Sequence, residues 1–493
     1  MKKMLVFGLA AMGIGLSAMA QNEHIHVFCS DKNFHTFKGT EAQSILYSGG
    51  NATTGFNTLV VQDASGNQTT ISLSAIDSVQ VRMTGLPEFH VNLLDDPTAT
   101  ELWGAKDLVH EATLRMDGNG MYDDLPEQTV EFRGRGNSTW NMKKKPYRFK
   151  MSSKAKVCGL AKAKSFALIA NYIDCSLMRN SVALWVSNWF EMPYSNHCVP
   201  VKVYLNGIYK GAYMLTEKIG VGGGSVDIDE NTGMLFELDS NYDEDFKFYF
   251  NLSNYSTSSS AYGSMTGYLP VMVKDPDLTE VCEALGTTTS AYFSEWTADF
   301  VEMAKAVMST PADGDLSKYL DLESVAEFFV VNSLANNHEM KHPKSFYLYK
   351  KSLEEGEVYH FGPTWDFDWA FTFDGKEGAS ASVPLVSSNG DCGGYTFIKA
   401  LFQNKAFRAI YKQKWDTFVA DGYPELLKYM EEYATLIEPT AKENGLLWPA
   451  DYDVSWRLSE SSFEFRKYFG ELKTWLQQRV DYCNSHVNYG IYQ

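Results

Sequence analysis

Asp366 and Asp368 stand in the run Tyr359-His-Phe-Gly-Pro-Thr-Trp-Asp-Phe-Asp-Trp-Ala-Phe-Thr-Phe373. An aromatic stretch this dense is expected to be buried, and two ionised carboxylates beside it are very costly there unless a metal ion or a cationic partner compensates them. The competing reading is a strand end whose aspartates accept bonds from neighbouring backbone amides. A second group with chemical potential lies far upstream, from Thr129 to Met151, where Thr-Val-Glu-Phe-Arg-Gly-Arg-Gly-Asn-Ser-Thr-Trp is followed by Lys143-Lys-Lys-Pro-Tyr-Arg-Phe-Lys-Met. This reads as strand, glycine-containing turn and returning strand. Arg133 and Arg135 share one face, and Arg148, Lys150 and by the same period Lys144 share one face of the return, with Tyr147 and Phe149 opposite. Cations along one side of such a hairpin suit a polyphosphate, whose oxygens accept from guanidinium, ammonium and turn amides. A solvated basic edge strand has the same pattern.

Other candidates are more isolated. Arg179 falls in the first turns of a helix that Asp174 or Ser176 can cap, where it can pair with a carboxylate if that end is buried. Glu217 and Lys218 close the second strand of a hairpin turned by Asn206-Gly207, and Glu237 sits in the strand after it. Between them, Gly222-Gly-Gly-Ser lacks the Gly-Lys-Ser/Thr ending and following helix of a phosphate loop, so it reads as a flexible connection. His338-Glu339-Met-Lys-His342 fits the zinc protease pattern H-E-x-x-H, which needs one continuous helix through both histidines. Pro343 and the helix-ending Asn336-Asn337 argue against that helix, so loop histidines are the expectation and a zinc metalloprotease the lesser alternative.

The elements that must position these residues are spread over 493 residues, too many for one ordinary core. Residues 1–20 carry Lys2-Lys3, an apolar run and Ala18-Met19-Ala20, which predicts a cleaved secretory signal and export to the periplasm, the cell surface or the medium. Residues 21–84 are rich in strand patterns with Gly, Asn and Ser turns, a small β module; its Ser74-Ala-Ile-Asp-Ser-Val-Gln-Val run resembles accessory domains at the front of secreted proteins of gut-type bacteria. Residues 85–376 mix strands and helices, with the Ser-, Tyr- and Asn-rich stretch 239–290 expected to be an insertion. Residues 377–493 show helical stripes, Phe397 to Phe418 and Tyr468 to Val480, expected to pack on the preceding domain. The net charge of −18, which loss of Lys2 and Lys3 would take to −20, argues against nucleic acid and favours divalent cations or basic polypeptides. No other apolar stretch is long enough to predict a transmembrane segment. Seven cysteines without a CxxC pair suggest buried thiols and at most one or two disulfides.

Five blocks, in order, carry a family resemblance: Arg135-Gly-Asn137-Ser138; Lys144-Lys145-Pro-Tyr-Arg148-Phe-Lys150; Asn171-Tyr-x-Asp174 through Arg179-Asn180; Val203-Tyr-Leu-Asn206-Gly207 through Glu217-Lys218; and Trp365-Asp366-Phe-Asp368. Together they resemble the CotH family of secreted atypical protein kinases, named after a spore coat protein, over about Leu93 to Phe373. The resemblance implies an α+β chain with a divergent protein-kinase-like, two-lobed domain. It also implies ATP and Mg²⁺ or Mn²⁺ between the lobes and transfer of the γ-phosphate to Ser or Thr of an exported protein. Asp366, with Asp368 as the other candidate, takes the metal role; Lys145 or Lys150 contacts phosphate, with Glu217 or Glu237 as its partner. Many members carry an Asp base in the loop that here reads Asn336-Asn-His-Glu-Met-Lys-His-Pro-Lys-Ser345, so Glu339 or His338 would take the substrate proton and Ser345 stands where an Asn helps bind metal. That departure keeps a catalytically silent kinase fold, acting in binding or surface assembly, as the alternative.

Overall fold

The computed structural model describes residues 23–30, 34–38, 42–49, 55–63, 65–83, 85–371, 380–448, 465–486 and 490–492. The expected signal segment, 1–20, lies outside them. The front of the chain forms two three-stranded antiparallel sheets: β1 (Glu23–Cys29), β2 (Phe34–Lys38) and β6 (Ile76–Met83) in the order β2-β1-β6, and β3 (Ala42–Ser48), β4 (Thr58–Asp63) and β5 (Gln68–Ser72) in chain order. Their facing side chains, Val27, Leu59, Val61 and Ile71 among them, make the small core expected of a β module. The β4–β5 turn follows from Asp63, whose carboxylate accepts the amides of Ser65 and Asn67 at 2.9 Å each.

A closed seven-stranded barrel comes next: β7 (Glu88–Leu93), β8 (His110–Asp117), β9 (Leu125–Gly134), β10 (Tyr147–Ala155), β11 (Ala163–Ile169), β12 (Val199–Leu205) and β13 (Ile208–Glu217). Its order is β10-β11-β13-β12-β7-β8-β9, closed by β9 against β10, and only the β12–β7 pair is parallel. Alternation in β10 sends Tyr147, Phe149 and Met151 inward and leaves Arg148 and Lys150 outside, as period two requires. Phe89, Phe132, Phe166 and Tyr213 complete a packed interior, so the barrel is a core and not a container. Asn206 and Gly207, at φ 48° and 78°, form the left-handed turn that joins β12 to β13. Lys144 departs from the alternation because it precedes the strand. It is fully buried, donating to Ala170 O at 2.7 Å, Asn444 Oδ1 at 2.9 Å and Ala212 O.

The third unit is a six-stranded antiparallel sheet of β14 (Met234–Leu238), β15 (Lys247–Asn251), β16 (Thr257–Ser258), β17 (Tyr268–Asp275), β18 (Phe346–Lys350) and β19 (His360–Phe361), ordered β16-β15-β17-β14-β18-β19. The stretch 239–290, expected to be an insertion, supplies β15, β16 and β17, three strands at one edge of this sheet, the last a direct neighbour of β14. Its buried strands are short apolar runs without alternation, Phe248-Tyr-Phe250 and Leu269 to Val273, and the polar turns between them dominate its composition.

The helices are α1 (Arg179–Trp189), α2 (Leu278–Leu285), α3 (Thr289–Ser309), α4 (Leu322–Ala335), α5 (Gly394–Gln403), α6 (Lys405–Thr417), α7 (Tyr423–Leu447) and α8 (Phe465–Ser485). Asp321 caps α4 by accepting the amides of Glu323 and Ser324, and Asn336 ends it at φ 45°. From Ser324 to Ala335 α4 is buried on every side, the mark of a helix inside the core. The C-terminal helices bury the expected stripes, Phe397, Leu401, Phe407, Trp415, Leu472, Trp475 and Val480. All seven cysteines are free thiols, six buried and Cys198 half-buried. Among the described residues no helix is long and apolar enough to cross a membrane.

Candidate active site

The site is assembled at the start of α1. Asp174 reaches forward over the helix terminus, accepting the amide of Arg179 at 2.8 Å and the amide and hydroxyl of Ser176 at 2.9 and 2.5 Å. The anion stabilises the first turn and fixes Arg179 and Asn180 side by side. Both then grip the aspartate stretch. Arg179 Nη1 donates to Asp368 O at 3.1 Å, Asn180 Nδ2 to Asp368 Oδ1 at 2.5 Å, and Asn180 Oδ1 accepts the Phe367 amide at 3.0 Å. Asp366, just before the gripped residues, has φ 62°, in the left-handed region that Asp tolerates better than most residues. Buried Phe367, Ala370 and Phe371 anchor the chain beyond Asp366, and the Phe371 amide docks on Ala335 O at 2.7 Å.

Across from the aspartates stands Arg135, one residue past β9, its guanidinium 5.3 Å from the Trp365 ring centroid. Arg135, Asn180, Asp366 and Asp368 share a cavity of about 20 Å³, closed by Ile169, Leu184, Met214 and Trp365. That volume suits one water molecule or one ion. The early cation and the late acid pair thus meet at one point.

The acid cluster is wider than the pair. Glu339 lies in the 3₁₀ turn His338–Lys341 directly after α4, its amide bonded to Asn337 Oδ1 at 3.3 Å. Burial, and then the Asp366 charge, push its carboxyl well above the ordinary range. Burial and the neighbouring Asp366 raise Asp368 to about 7, while Asn180 and Arg135 work the other way. Asp366 is also raised by burial, against the pull of Arg135, Lys344 and a bond from Ser345. Asp239, at the end of β14, accepts the Ser345 amide at 3.2 Å and is pushed to about 7 by burial and by Glu237. Carboxyls raised together in this way hold their protons until positive charge enters.

The remaining expected residues fall elsewhere or at the edge. Arg148 and Lys218 extend the cationic side: Arg148 feels Arg135 as a like-charged neighbour, and Lys218 feels Arg148. Lys145 is inside, donating to Trp140 O at 2.5 Å between the Trp140 and Trp103 rings. Lys150 is on the outer barrel surface, 3.7 Å from Glu131. Asn137 and Ser138 are exposed, and Asn137 accepts from Lys106 at 2.6 Å. Glu217 pairs with His197, 2.7 Å from its Nδ1, and Glu237 with Lys274 at 2.9 Å, so neither partners a hairpin lysine. The H-E-x-x-H residues form a short 3₁₀ turn, with His342 turned to Asp391 at 2.9 Å. Among the described residues no group of three or more His, Cys, Asp and Glu is placed to hold a metal.

Asn180, Asp239, Lys344 and Trp365 are site residues that had no role assigned from the sequence. Asn180 and Trp365 did stand within the blocks that carry the resemblance. The donors here are all oxygen, which fits a hard cation such as Mg²⁺ or Mn²⁺ held by one or two carboxylates with water or phosphate completing the shell. Asp366 and Asp368 would hold it.

A family model described as CotH kinase protein matches residues 132–483. The chain belongs to the CotH kinase family. Arg135, Glu339 and both aspartates lie inside the CotH match, which runs on through nearly all of α8. The C-terminal helices are thus part of the CotH unit and not an appendage, whereas the β module, β7 and β8 precede it. None of the curated proteins matches the chain.

Proposed function

We propose that this CotH protein transfers the γ-phosphate of ATP to Ser or Thr hydroxyls of exported proteins, with the barrel and the six-stranded sheet acting as the two lobes of a kinase-like cleft. The observation that carries this reading is the single cavity shared by Arg135, Asp366 and Asp368. In phosphoryl transfer the protein mainly positions groups and offsets charge. Arg135, then Arg148 and Lys218, line up to accept the phosphate tail. Asn180 and Arg179 hold the Asp366–Asp368 segment rigid, so its carboxylates do not have to reorganise during reaction. A divalent cation, when bound, supplies charge neutralisation at the phosphate oxygens. In the step itself the substrate hydroxyl oxygen bonds to the γ-phosphorus, the bond from that phosphorus to the β,γ-bridging oxygen breaks, ADP leaves, and the hydroxyl proton passes to the Glu339 carboxylate. The residue 1–20 pattern, read as a secretory signal, supports polypeptides outside the cytoplasm as acceptors.

A second reading, a nucleotide-independent binding protein on the same fold, is favoured by Glu339. Burial and the Asp366 charge oppose its ionisation, and a base must be ionised to take the substrate proton. Purified protein incubated with labelled ATP, Mn²⁺ or Mg²⁺ and generic Ser-containing polypeptides separates the two. The kinase reading expects incorporation that falls at least about a hundredfold in Asp366→Ala. Absence of incorporation in the wild-type chain with either metal selects the binding protein.

A further inference from the structure

A second concave site lies where the Gly220–Ser225 loop, leading from β13 toward β14, packs on the β10–β11 hairpin. Its cavity is about 210 Å³, with Lys154, Lys162, Lys164 and Lys218 around it. Lys154 and Lys164 flank the cross-strand pair Ala155–Ala163, beside an irregularity in the β10–β11 register. Among the described residues none of the four forms an ion pair with a carboxylate. This concentration of positive charge stands out on a chain of net charge −18.

The floor of the cavity is glycine for steric reasons. A Cβ on Gly224 would lie 2.6 Å from that of Ala163, one on Gly220 would lie 2.5 Å from Asp275 Oδ2, and Gly222 has φ +129°. The loop is tied down rather than loose: Val221 N donates to Asp275 Oδ2 at 2.6 Å, Gly222 N to Val226 O at 2.7 Å, and Gly220 N to Ser225 Oγ at 3.3 Å. The two amides between these anchors, of Gly223 and Gly224, have no partner among the described residues. Consecutive unpaired amides beside ammonium groups make an oxyanion cradle.

The geometry points to a docking site for a phosphate group already present on the polypeptide that the acidic centre modifies. This rests on the phosphotransfer reading and gives the substrate class: polypeptides with clustered hydroxyls, one of them phosphorylated beforehand. In the phosphotransfer reading Arg135, Arg148 and Lys218 take the nucleotide tail, which leaves Lys154, Lys162 and Lys164 for another anion. Lys218 joins the two sets.

The test is binding of a fluorescent peptide carrying phosphoserine beside further serines, and of its unphosphorylated twin, to the full chain and to the Lys162→Gln/Lys164→Gln double variant. Both lysines are exposed, so the variant keeps its fold. The phosphopeptide is expected to bind the wild type at least about tenfold more tightly than the twin, to weaken with salt, and to lose most of that preference in the variant, with ATP affinity unchanged. Equal binding of the two peptides overturns the proposal. So does a variant that loses ATP affinity as much as peptide affinity, which would make the cradle part of the nucleotide site. Phosphopeptide preference in a protein that transfers no phosphate leaves the docking site standing and removes the kinase reading.

Discussion

Asp368 is a buried carboxyl beside two others, and its environment makes it a reporter of the site. Its folded-state value of about 7 lies above the unfolded value near 3.8, so the folded chain binds the extra proton. The stabilising contribution is fully present below about pH 4 and is lost as pH rises through 7. Cation-free protein should therefore lose stability across that window. Asp368→Asn, which can still accept from Asn180, should flatten the profile. Mn²⁺ should raise the melting temperature more at pH 8 than at pH 5, because only the ionised carboxyls bind it. Calorimetric melting of both proteins with and without Mn²⁺ checks this; an unchanged pH profile in Asp368→Asn would remove the carboxyl cluster as its cause.

At the scale of elements, one helix terminus does most of the positioning. Asp174 caps α1, and Asn180 clamps Phe367 and Asp368 from the same turn. Asn180→Ala should cost roughly 2–3 kcal/mol, since it leaves a buried carboxylate and a buried amide short of partners, and transfer activity should fall with it. Denaturant titration beside an activity assay tests both; full activity in that variant would show that the segment holds its place without the clamp. This clamp was only partly legible in the sequence. The Asn206-Gly207 turn and the inward–outward alternation of β10 are local, and each was readable from its neighbours. Lys144 was not, because its ammonium group finds carbonyls brought up by distant segments, and Lys145 was not, because it turns back to Trp140 beside the remote Trp103 ring. Likewise the strands within 239–290 were not legible, because a strand buried on both faces does not alternate, and the barrel's closure depends on pairing of strands remote in the chain.

Over the whole molecule, the site depends on how separate units are locked together. Arg479 of α8 is fully buried with neutral partners: Ser333 O at 2.7 Å on α4, Ala381 O at 3.2 Å and Gly490 O at 3.3 Å. It ties the last helix to the helix that ends just before Glu339. Arg479→Met should destabilise the chain by roughly 3 kcal/mol, because buried carbonyls lose their donors; a denaturation midpoint equal to the wild type would show that water replaces it. At the other end, Lys144 joins the barrel to α7 through Asn444. β2 rests on α7, with His35 Nδ1 3.2 Å from Glu432. The Arg479 and Lys144 ties lie largely within the CotH match, which extends to residue 483, far past the aspartates. They hold Arg135, from the barrel, against Asp366 and Asp368, which follow the six-stranded sheet. Calorimetric titration of ATP with Mn²⁺ into the wild type, Arg135→Gln and Asp366→Asn measures that meeting directly, since Asn tolerates the φ of 62° and neither change leaves a large void. Binding in the wild type, weakened at least about tenfold in each variant, is the expected result. Equal affinity in all three proteins, or no binding in the wild type, contradicts a nucleotide held between the early arginine and the late aspartates.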